Sequence, residues 1–204
     1  MCIKLGFNNY TVVTRQHLQL DGESCGGLID CENQEISLLD KLSETQRSAT
    51  LLHELLHAVI FFESMGNDVS EREVEALSNI LYLVFINNSS WIKRASDDTV
   101  FTSKPNSIQI GYTNYKVDVV ESIEVDGEDF TYEVCYTEEL ILLKKRRPIV
   151  MLMSLIEAVI SASCNFCQID LKSDFATMRL AQGFTTLIMD NPSLIKFNWE
   201  VFND

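Results

Sequence analysis

The sequence predicts an α+β protein made of two tandem copies of one unit of roughly a hundred residues. Residues 3–23 match residues 108–128 without a gap, at a shift of 105 and with eight identities. In each copy, segments that alternate apolar and polar residues come first and apolar-rich helical segments follow. Each unit is therefore expected to be an antiparallel β-hairpin sheet followed by two packed helices.

The strands of this sheet are predicted from alternation and from turn signals. Residues 11–20 and 28–38 alternate in the first unit, and residues 116–125 and 131–143 alternate in the second. Asp-Gly pairs, which favour tight turns, follow the first segment of each unit. We expect these segments to form hairpins.

Two helices are predicted in the first unit. Ser43 and Gln46 have the spacing of a capping box, so a helix begins there and extends to about residue 64. Ser70 has the same relation to Glu73 and predicts a second helix to about residue 87. Residues 1–90 then form a first domain, residues 91–107 a linker rich in Ser, Asn and Asp, and residues 108–204 a second domain.

Composition excludes several classes of function. The net charge of −14 does not suit a polyanionic partner, so direct contact with nucleic acid is not expected. The chain has six cysteines, and its opening residues are polar and do not resemble a secretory signal, which favours free thiols in a reducing, cytoplasmic compartment. Cys164 and Cys167 form a single CxxC without a second pair, which is more typical of buried thiols on a helix than of a zinc site.

Residues 148–167 are apolar over about the length of a membrane crossing and follow four basic residues, 144–147. Glu157 at the centre and three serines argue against a membrane, as does the match of this segment to a core helix of the first unit. No membrane contact is expected. The basic cluster is either a contact for a partner or, more simply, a solvated run of charge before a helix.

The sequence His53-Glu54-Leu55-Leu56-His57 is an HExxH motif within a predicted helix. Positions i and i+4 lie on one helix face, so both imidazoles can bind one Zn²⁺, and the adjacent Glu can accept a proton from water on the metal. The helix is otherwise apolar nearly all round, and a buried His pair needs a partner that a cation can supply. The motif predicts zinc ligands at His53 and His57 and a catalytic base at Glu54.

Catalytic zinc usually has three protein ligands, and the second helix offers three carboxylates for the third position. Glu71 and Glu73 lie in the first turn, where acidic residues commonly compensate the helix dipole. Glu75 is followed by an apolar pair and is expected to point into the apolar stripe of the helix, so it is the preferred third ligand. The alternatives are Glu71 or Glu73, or no carboxylate ligand. Ordinary helix packing is the simpler interpretation of Asn79 and Tyr82, although Asn79 could hold a ligand and Tyr82 could polarise a substrate carbonyl. His17 is expected to be a surface residue of a strand.

Further matches between the units extend the repeat beyond its first strands. Cys31 pairs with Cys135 at a shift of 104, and residues 52–60 pair with residues 152–160 at a shift of 100, with five of nine identical. On this register His53, Glu54, His57 and Glu75 correspond, in that order, to Met153, Ser154, Glu157 and Met178. The second unit is therefore expected to keep the packing and to lack the metal site.

Residues 27–85, which contain GLIDCENQ, HELLH and EALSN in that order, resemble the small phage- and prophage-encoded members of the ImmA/IrrE-type zinc metallopeptidases. In that family a G-x-I-D-x-x-x-Q hairpin precedes the HExxH helix, and a Glu-Ala pair in the next helix supplies a zinc ligand, which matches Glu75-Ala76. The resemblance covers about residues 3–90. It implies an intracellular zinc-dependent endopeptidase of the kind that cuts repressor proteins, without implying which substrate this chain has.

Two functions from different classes follow as hypotheses. The first is a gluzincin-like zinc endopeptidase that hydrolyses a peptide bond of an intracellular protein, such as a regulator, with Glu54 as general base. The second is a non-catalytic phage-type protein that binds and inhibits a host protein, with zinc structural or absent. The chain is expected to be a monomer with the two units arranged as an intramolecular pseudo-dimer, and to act in the cytoplasm, that of a bacterial host if phage-encoded.

Overall fold

A computed structural model describes residues 1–66, 68–88, 104–173 and 175–191. In these residues the chain is α+β, with four helices and with sheets that mix antiparallel and parallel strands. Most of the expected linker, residues 91–107, lies outside the described residues. The end of that linker is already ordered structure, because Ser107 begins a strand.

The described residues up to 88, here called unit 1, contain six strands and two helices. They are β1 (Cys2–Leu5), β2 (Asn8–Arg15), β3 (Gln19–Leu20), β4 (Glu23–Ser24), β5 (Gly27–Asp30), β6 (Glu35–Leu39), α1 (Glu44–Phe62) and α2 (Glu71–Asn87). Both helices begin at the predicted caps, Ser43 and Ser70.

The described residues from 104 onward, here called unit 2, contain the same elements in the same order. They are β7 (Ser107–Ile110), β8 (Thr113–Val120), β9 (Glu124–Val125), β10 (Glu128–Asp129), β11 (Tyr132–Cys135), β12 (Leu140–Lys144), α3 (Pro148–Cys167) and α4 (Ala176–Asp190).

The sheet of each unit is mixed, so the expectation of a purely antiparallel sheet is wrong. In unit 1 the strand order is β1-β2-β6-β5, and β2 and β6 run parallel. After β2 the chain turns through the short β3–β4 hairpin, runs along the sheet edge as β5 and returns as β6 between β5 and β2. In unit 2 the order is β7-β8-β12-β11, with β8 and β12 parallel. The predicted strand over residues 28–38 is two strands, because the chain turns before Gln34, which has a φ of 55°.

The two units correspond at shifts that fall by one residue at a time. Equal sheet registers give a shift of 105, since Gly27 pairs with Leu38 and Tyr132 pairs with Leu143. The ends of α1 and α3 give 104, because Ser64 and Gln168 both have left-handed φ and close the same hydrogen bond, Ser64 N–H to Phe61 O and Gln168 N–H to Asn165 O. The ends of α2 and α4 give 103.

This register corrects two of the sequence matches. Cys135 corresponds to Asp30 rather than to Cys31, and the match of α1 to α3 at a shift of 100 is displaced by four residues. Four residues are about one helical turn, so the displaced match still aligns buried faces and attracts chance identities. His53, Glu54 and His57 correspond to Glu157, Ala158 and Ser161, and unit 2 still lacks every ligand of the motif.

The units share one continuous hydrophobic core, and the second helix of each unit packs both on its own first helix and on the other unit. The helix α2 packs on α3 and β7, and α4 packs on α1 and β1. Asn88, after α2, donates from its side chain to Gln109 O and accepts from Gln109 N–H, both at 2.9 Å. Asn191, after α4, makes the same pair of bonds with the backbone of Lys4. Each unit therefore closes on the first strand of the other.

The helix α3 is the one described helix that is long and apolar enough to cross a membrane. Half of its apolar window is buried inside the protein, where it packs against β11, β12, α2 and α4. The long apolar stretch of α3 is therefore also what a helix packed in a protein core would have.

Candidate metal centre

The helix α1 carries the HExxH motif across the centre of unit 1. Its buried face consists of Leu51, Leu55, Leu56, Ala58 and Val59, with Glu54 as the one buried carboxylate of the helix. The two histidines lie at the edge of this face and are half-buried. They therefore point from the core toward α2 and toward solvent.

His53 and His57 converge on a single carboxylate, that of Glu71 at the start of α2. The two Nε2 atoms are 3.1 Å apart. Glu71 Oε1 lies 3.1 Å from His53 Nε2, and Glu71 Oε2 lies 3.2 Å from His57 Nε2. The potential ligand atoms of these three residues all lie within 4.8 Å of one another, so the cluster could hold a metal ion.

The hydrogen bonds around His53 favour the tautomer that a metal requires. His53 Nδ1 is 3.3 Å from Ser78 Oγ, and the Ser78 hydroxyl donates to Glu75 O at 3.0 Å. Because that hydroxyl proton is already used, Ser78 Oγ accepts from His53 Nδ1–H, and Nε2 keeps its lone pair. The His53 and His57 Nε2 atoms and the Glu71 carboxylate face one point, and with both imidazoles in this tautomer the set suits a divalent cation. No distinct sequence signal marks Ser78, since a serine within a helix has many ordinary roles.

Glu54 lies on the other side of His53, buried against the edge strand β5. It is 5 % exposed, and its carboxylate accepts a hydrogen bond from the backbone N–H of Ile29. Burial, together with the negative charge of Glu71, raises the pKa of Glu54 to about 7, while the bond from Ile29 opposes this rise. A carboxylate with a pKa near neutrality can both accept and release a proton.

Glu75, the preferred third ligand, is exposed, contrary to the expectation that its side chain enters the apolar stripe. The stripe of α2 is formed by Val74, Leu77 and Leu81, and Glu75 lies just outside it, one turn beyond Glu71. Among Glu71, Glu73 and Glu75, it is Glu71 that the structure brings to the histidines. Glu73 instead accepts from the N–H and hydroxyl of Ser70 as part of the helix cap.

The remaining expectations near the site concern Asn79, Tyr82 and His17. Asn79 is exposed, and Ser78 has the supporting contact with a histidine. Tyr82 is buried and its hydroxyl bonds to Thr45, eight residues or about 12 Å along α1 from His53. His17 is exposed, as expected, although it lies between β2 and β3 rather than in a strand.

The CxxC motif lies on α3 and is not part of the metal cluster. Burial raises the pKa of Cys164 to about 12 and also raises the pKa of Cys167, so both are protonated thiols near neutrality. The thiol of Cys167 contacts the backbone oxygen of Ala76 in α2. Both cysteines therefore belong to the packing between α3 and α2.

The basic cluster at residues 144–147 is largely paired within unit 2. Lys144 and Arg146 form ion pairs with Asp129, and Lys145 pairs with Glu121 at 2.8 Å. Three of the four basic residues thus have an acidic partner, which favours a local charge run over a surface for an anionic partner.

Comparison of the chain with protein-family models, with curated proteins and with solved structures gave no match. The chemistry of the site consequently rests on the arrangement of His53, His57, Glu71 and Glu54.

Proposed function

We propose that this protein is a zinc-dependent endopeptidase whose metal is held by His53, His57 and Glu71. The observation that supports it is the convergence of the two Nε2 atoms and the Glu71 carboxylate beside the buried Glu54. A structural zinc site is usually closed by four protein ligands, whereas three ligands leave a position for water or substrate. The Glu71 side chain is 70 % exposed, so this position is open to solvent.

The reaction divides between the metal and the chain's own groups. When bound, zinc acidifies a water molecule and polarises a peptide carbonyl. Glu54 takes the proton of the attacking water on its carboxylate and delivers it to the nitrogen of the leaving amine. The N–H of Ile29 holds that carboxylate in place, and the surrounding apolar side chains of α1 exclude bulk water from it.

The resemblance to ImmA/IrrE-type peptidases supports an intracellular protein substrate, such as a regulator, and a cytoplasmic location. We further propose that the two units arose by duplication of one ancestral unit. The support is their common topology, their matched caps and the reciprocal Asn88 and Asn191 bonds. In this proposal unit 2 serves as a scaffold: α4 packs on α1, and α3 packs on α2.

The test compares the protein with its Glu54→Gln variant, each loaded with one equivalent of Zn²⁺. Both are added to a bacterial lysate, and new peptide N-termini are counted by mass spectrometry. We expect new N-termini with the native protein and none above background with Glu54→Gln, while both proteins retain zinc. Equal cleavage, or none with either protein, would contradict the peptidase proposal. If both forms inhibit the same host protein without cleaving it, the chain is a binding protein.

A further inference from the structure

The Glu54 carboxylate can pack against β5 in unit 1 because residue 27 is a glycine. A Cβ on Gly27 would lie 2.5 Å from Glu54 Oε1 and 2.5 Å from Thr50 Cγ2, closer than atoms can approach. The backbone of Gly27 does not have the positive φ that favours glycine, so the requirement is for space alone. The first residue of the edge strand β5 must therefore lack a side chain if Glu54 is to occupy its position.

Unit 2 has the opposite distribution of volume at the same three positions. On the register set by the sheets and helix ends, Gly27, Thr50 and Glu54 correspond to Tyr132, Ser154 and Ala158. The strand residue has a large side chain in unit 2 and none in unit 1, whereas both helix residues are smaller in unit 2 than in unit 1. The tyrosine ring thus has the room that a Cβ on Gly27 lacks.

The hydroxyl of Tyr132 reaches the residues that stand at the ligand positions. It interacts with Glu157 and Ser161, which correspond to His53 and His57, and with Thr177 of α4. Burial and the charge of Glu157 raise the pKa of Tyr132 to about 12, so the hydroxyl stays protonated. Tyr136 adds a further contact to Ser161 at 3.3 Å. A phenol hydroxyl therefore lies among the side chains that replace the metal ligands.

We propose that the residue at the start of the edge strand decides whether a unit can hold a metal site on its first helix: Gly27 leaves room for the Glu54 carboxylate beside the histidines in unit 1, and Tyr132 takes the corresponding room in unit 2 and places its hydroxyl at the ligand positions. Gly27 is in this sense a positioning residue for Glu54. The inference rests on the proposed metal site for its first half, and on steric packing alone for its second.

The first experiment measures thermal unfolding of the full chain without metal. Gly27→Ala should lower Tm by about 4 °C or more in the native background, because the new methyl group meets Glu54 and Thr50. In a Thr50→Ser, Glu54→Ala background, which reproduces the helix residues of unit 2, Gly27→Ala should change Tm by less than about 1 °C. Equal losses in the two backgrounds would overturn the steric half of the proposal, whatever the chain does with metal.

The second experiment measures Zn²⁺ binding by calorimetry in the same Thr50→Ser, Glu54→Ala background, which retains His53, His57 and Glu71. With Gly27 this variant should bind one zinc ion, since Glu54 is not a ligand. With Gly27→Tyr added, zinc affinity should fall at least 100-fold, because the new phenol should reach the ligand positions as Tyr132 does in unit 2. Far-ultraviolet circular dichroism confirms that both variants are folded.

The outcomes separate the two proposals. Zinc binding that survives Gly27→Tyr would show that residue 27 does not control the metal site, and the proposed metal site itself would stand. If the variant that keeps Gly27 already fails to bind zinc, the metal site is contradicted. The unfolding measurements then still decide whether residue 27 controls the packing of β5 on α1.

Discussion

The helices α1 and α3 bury almost the same positions and differ in chemistry. At equivalent positions α1 buries Glu54 and half-buries two histidines, whereas α3 has Ala158, Glu157 and Ser161. The apolar residues around them keep the same pattern of burial in both helices. The comparison shows that the fold of a unit does not require the polar cluster. Burying Glu54 and orienting His53 and His57 costs free energy that the fold itself does not require, which favours a chemical role for these residues.

The largest expected effect is on zinc affinity when unit 1 loses a ligand. Glu71→Ala should weaken Zn²⁺ binding at least about 100-fold, because two histidines alone form an incomplete site. Glu75→Ala, one turn along the same helix, is the matched control and should bind zinc as the native protein does. Calorimetric titration of both variants measures the difference. The reverse result would assign the third ligand to Glu75, as the sequence predicted.

The buried carboxyl of Glu54 should also make the stability of the protein depend on pH. The pKa of Glu54 rises from 4.5 in the unfolded chain to about 7 in the fold, so folding favours its protonated form. The contribution of the protonated Glu54 carboxyl to the free energy of unfolding is complete below pH 4.5 and is lost as pH rises through 7. In the metal-free protein Glu54→Gln should therefore add about 2 to 3 kcal/mol at pH 8 relative to the native chain.

The gain from Glu54→Gln should shrink toward zero at pH 4.5, where the native carboxyl is also neutral. Urea unfolding of both proteins at the two pH values, with a chelator present, measures it. A gain that does not depend on pH would show that the charge of Glu54 is not what the fold resists.

The reciprocal asparagine contacts should contribute equally, since the two units make them alike. Asn88→Ala and Asn191→Ala each remove a buried amide that pairs with a strand of the other unit. Each should cost about 1 to 3 kcal/mol of unfolding free energy. Chemical denaturation of the two variants side by side tests this. A loss at one position only would mean that the two contacts between the units do not contribute alike to stability.

The smallest effect is expected at Ser78, which corresponds to Ala181 of unit 2. Ser78→Ala removes the acceptor of His53 Nδ1–H while leaving all three ligands in place. Loss of such a supporting bond typically lowers metal affinity by about 10-fold. Competition titration against a fluorescent zinc chelator resolves a change of this size. An unchanged affinity would show that Nε2 presents its lone pair without help from Ser78.

Local patterns in the sequence were enough to predict the helices of unit 1 and the HExxH cluster. Ser43 and Ser70 were identified as caps because capping depends on residues three positions apart. The parallel pairing of β2 and β6 was not predictable in this way, because alternation describes one strand and carries no direction for its neighbour. Which carboxylate lies beside the histidines was equally unpredictable, since Glu71 and Glu75 share one face of α2 and only the packing of α2 on α1 distinguishes them.

The pairing of Lys4 with Asn191 joins the first strand to the end of the last described helix. During synthesis the ribosome therefore releases β1 long before its packing partner α4 exists. Since α4 also packs on α1, the helix of the HExxH motif acquires its complete surroundings only after α4 has been synthesised. A metal ion that reached His53 and His57 before that point would meet a chain whose core is still open on the α4 side.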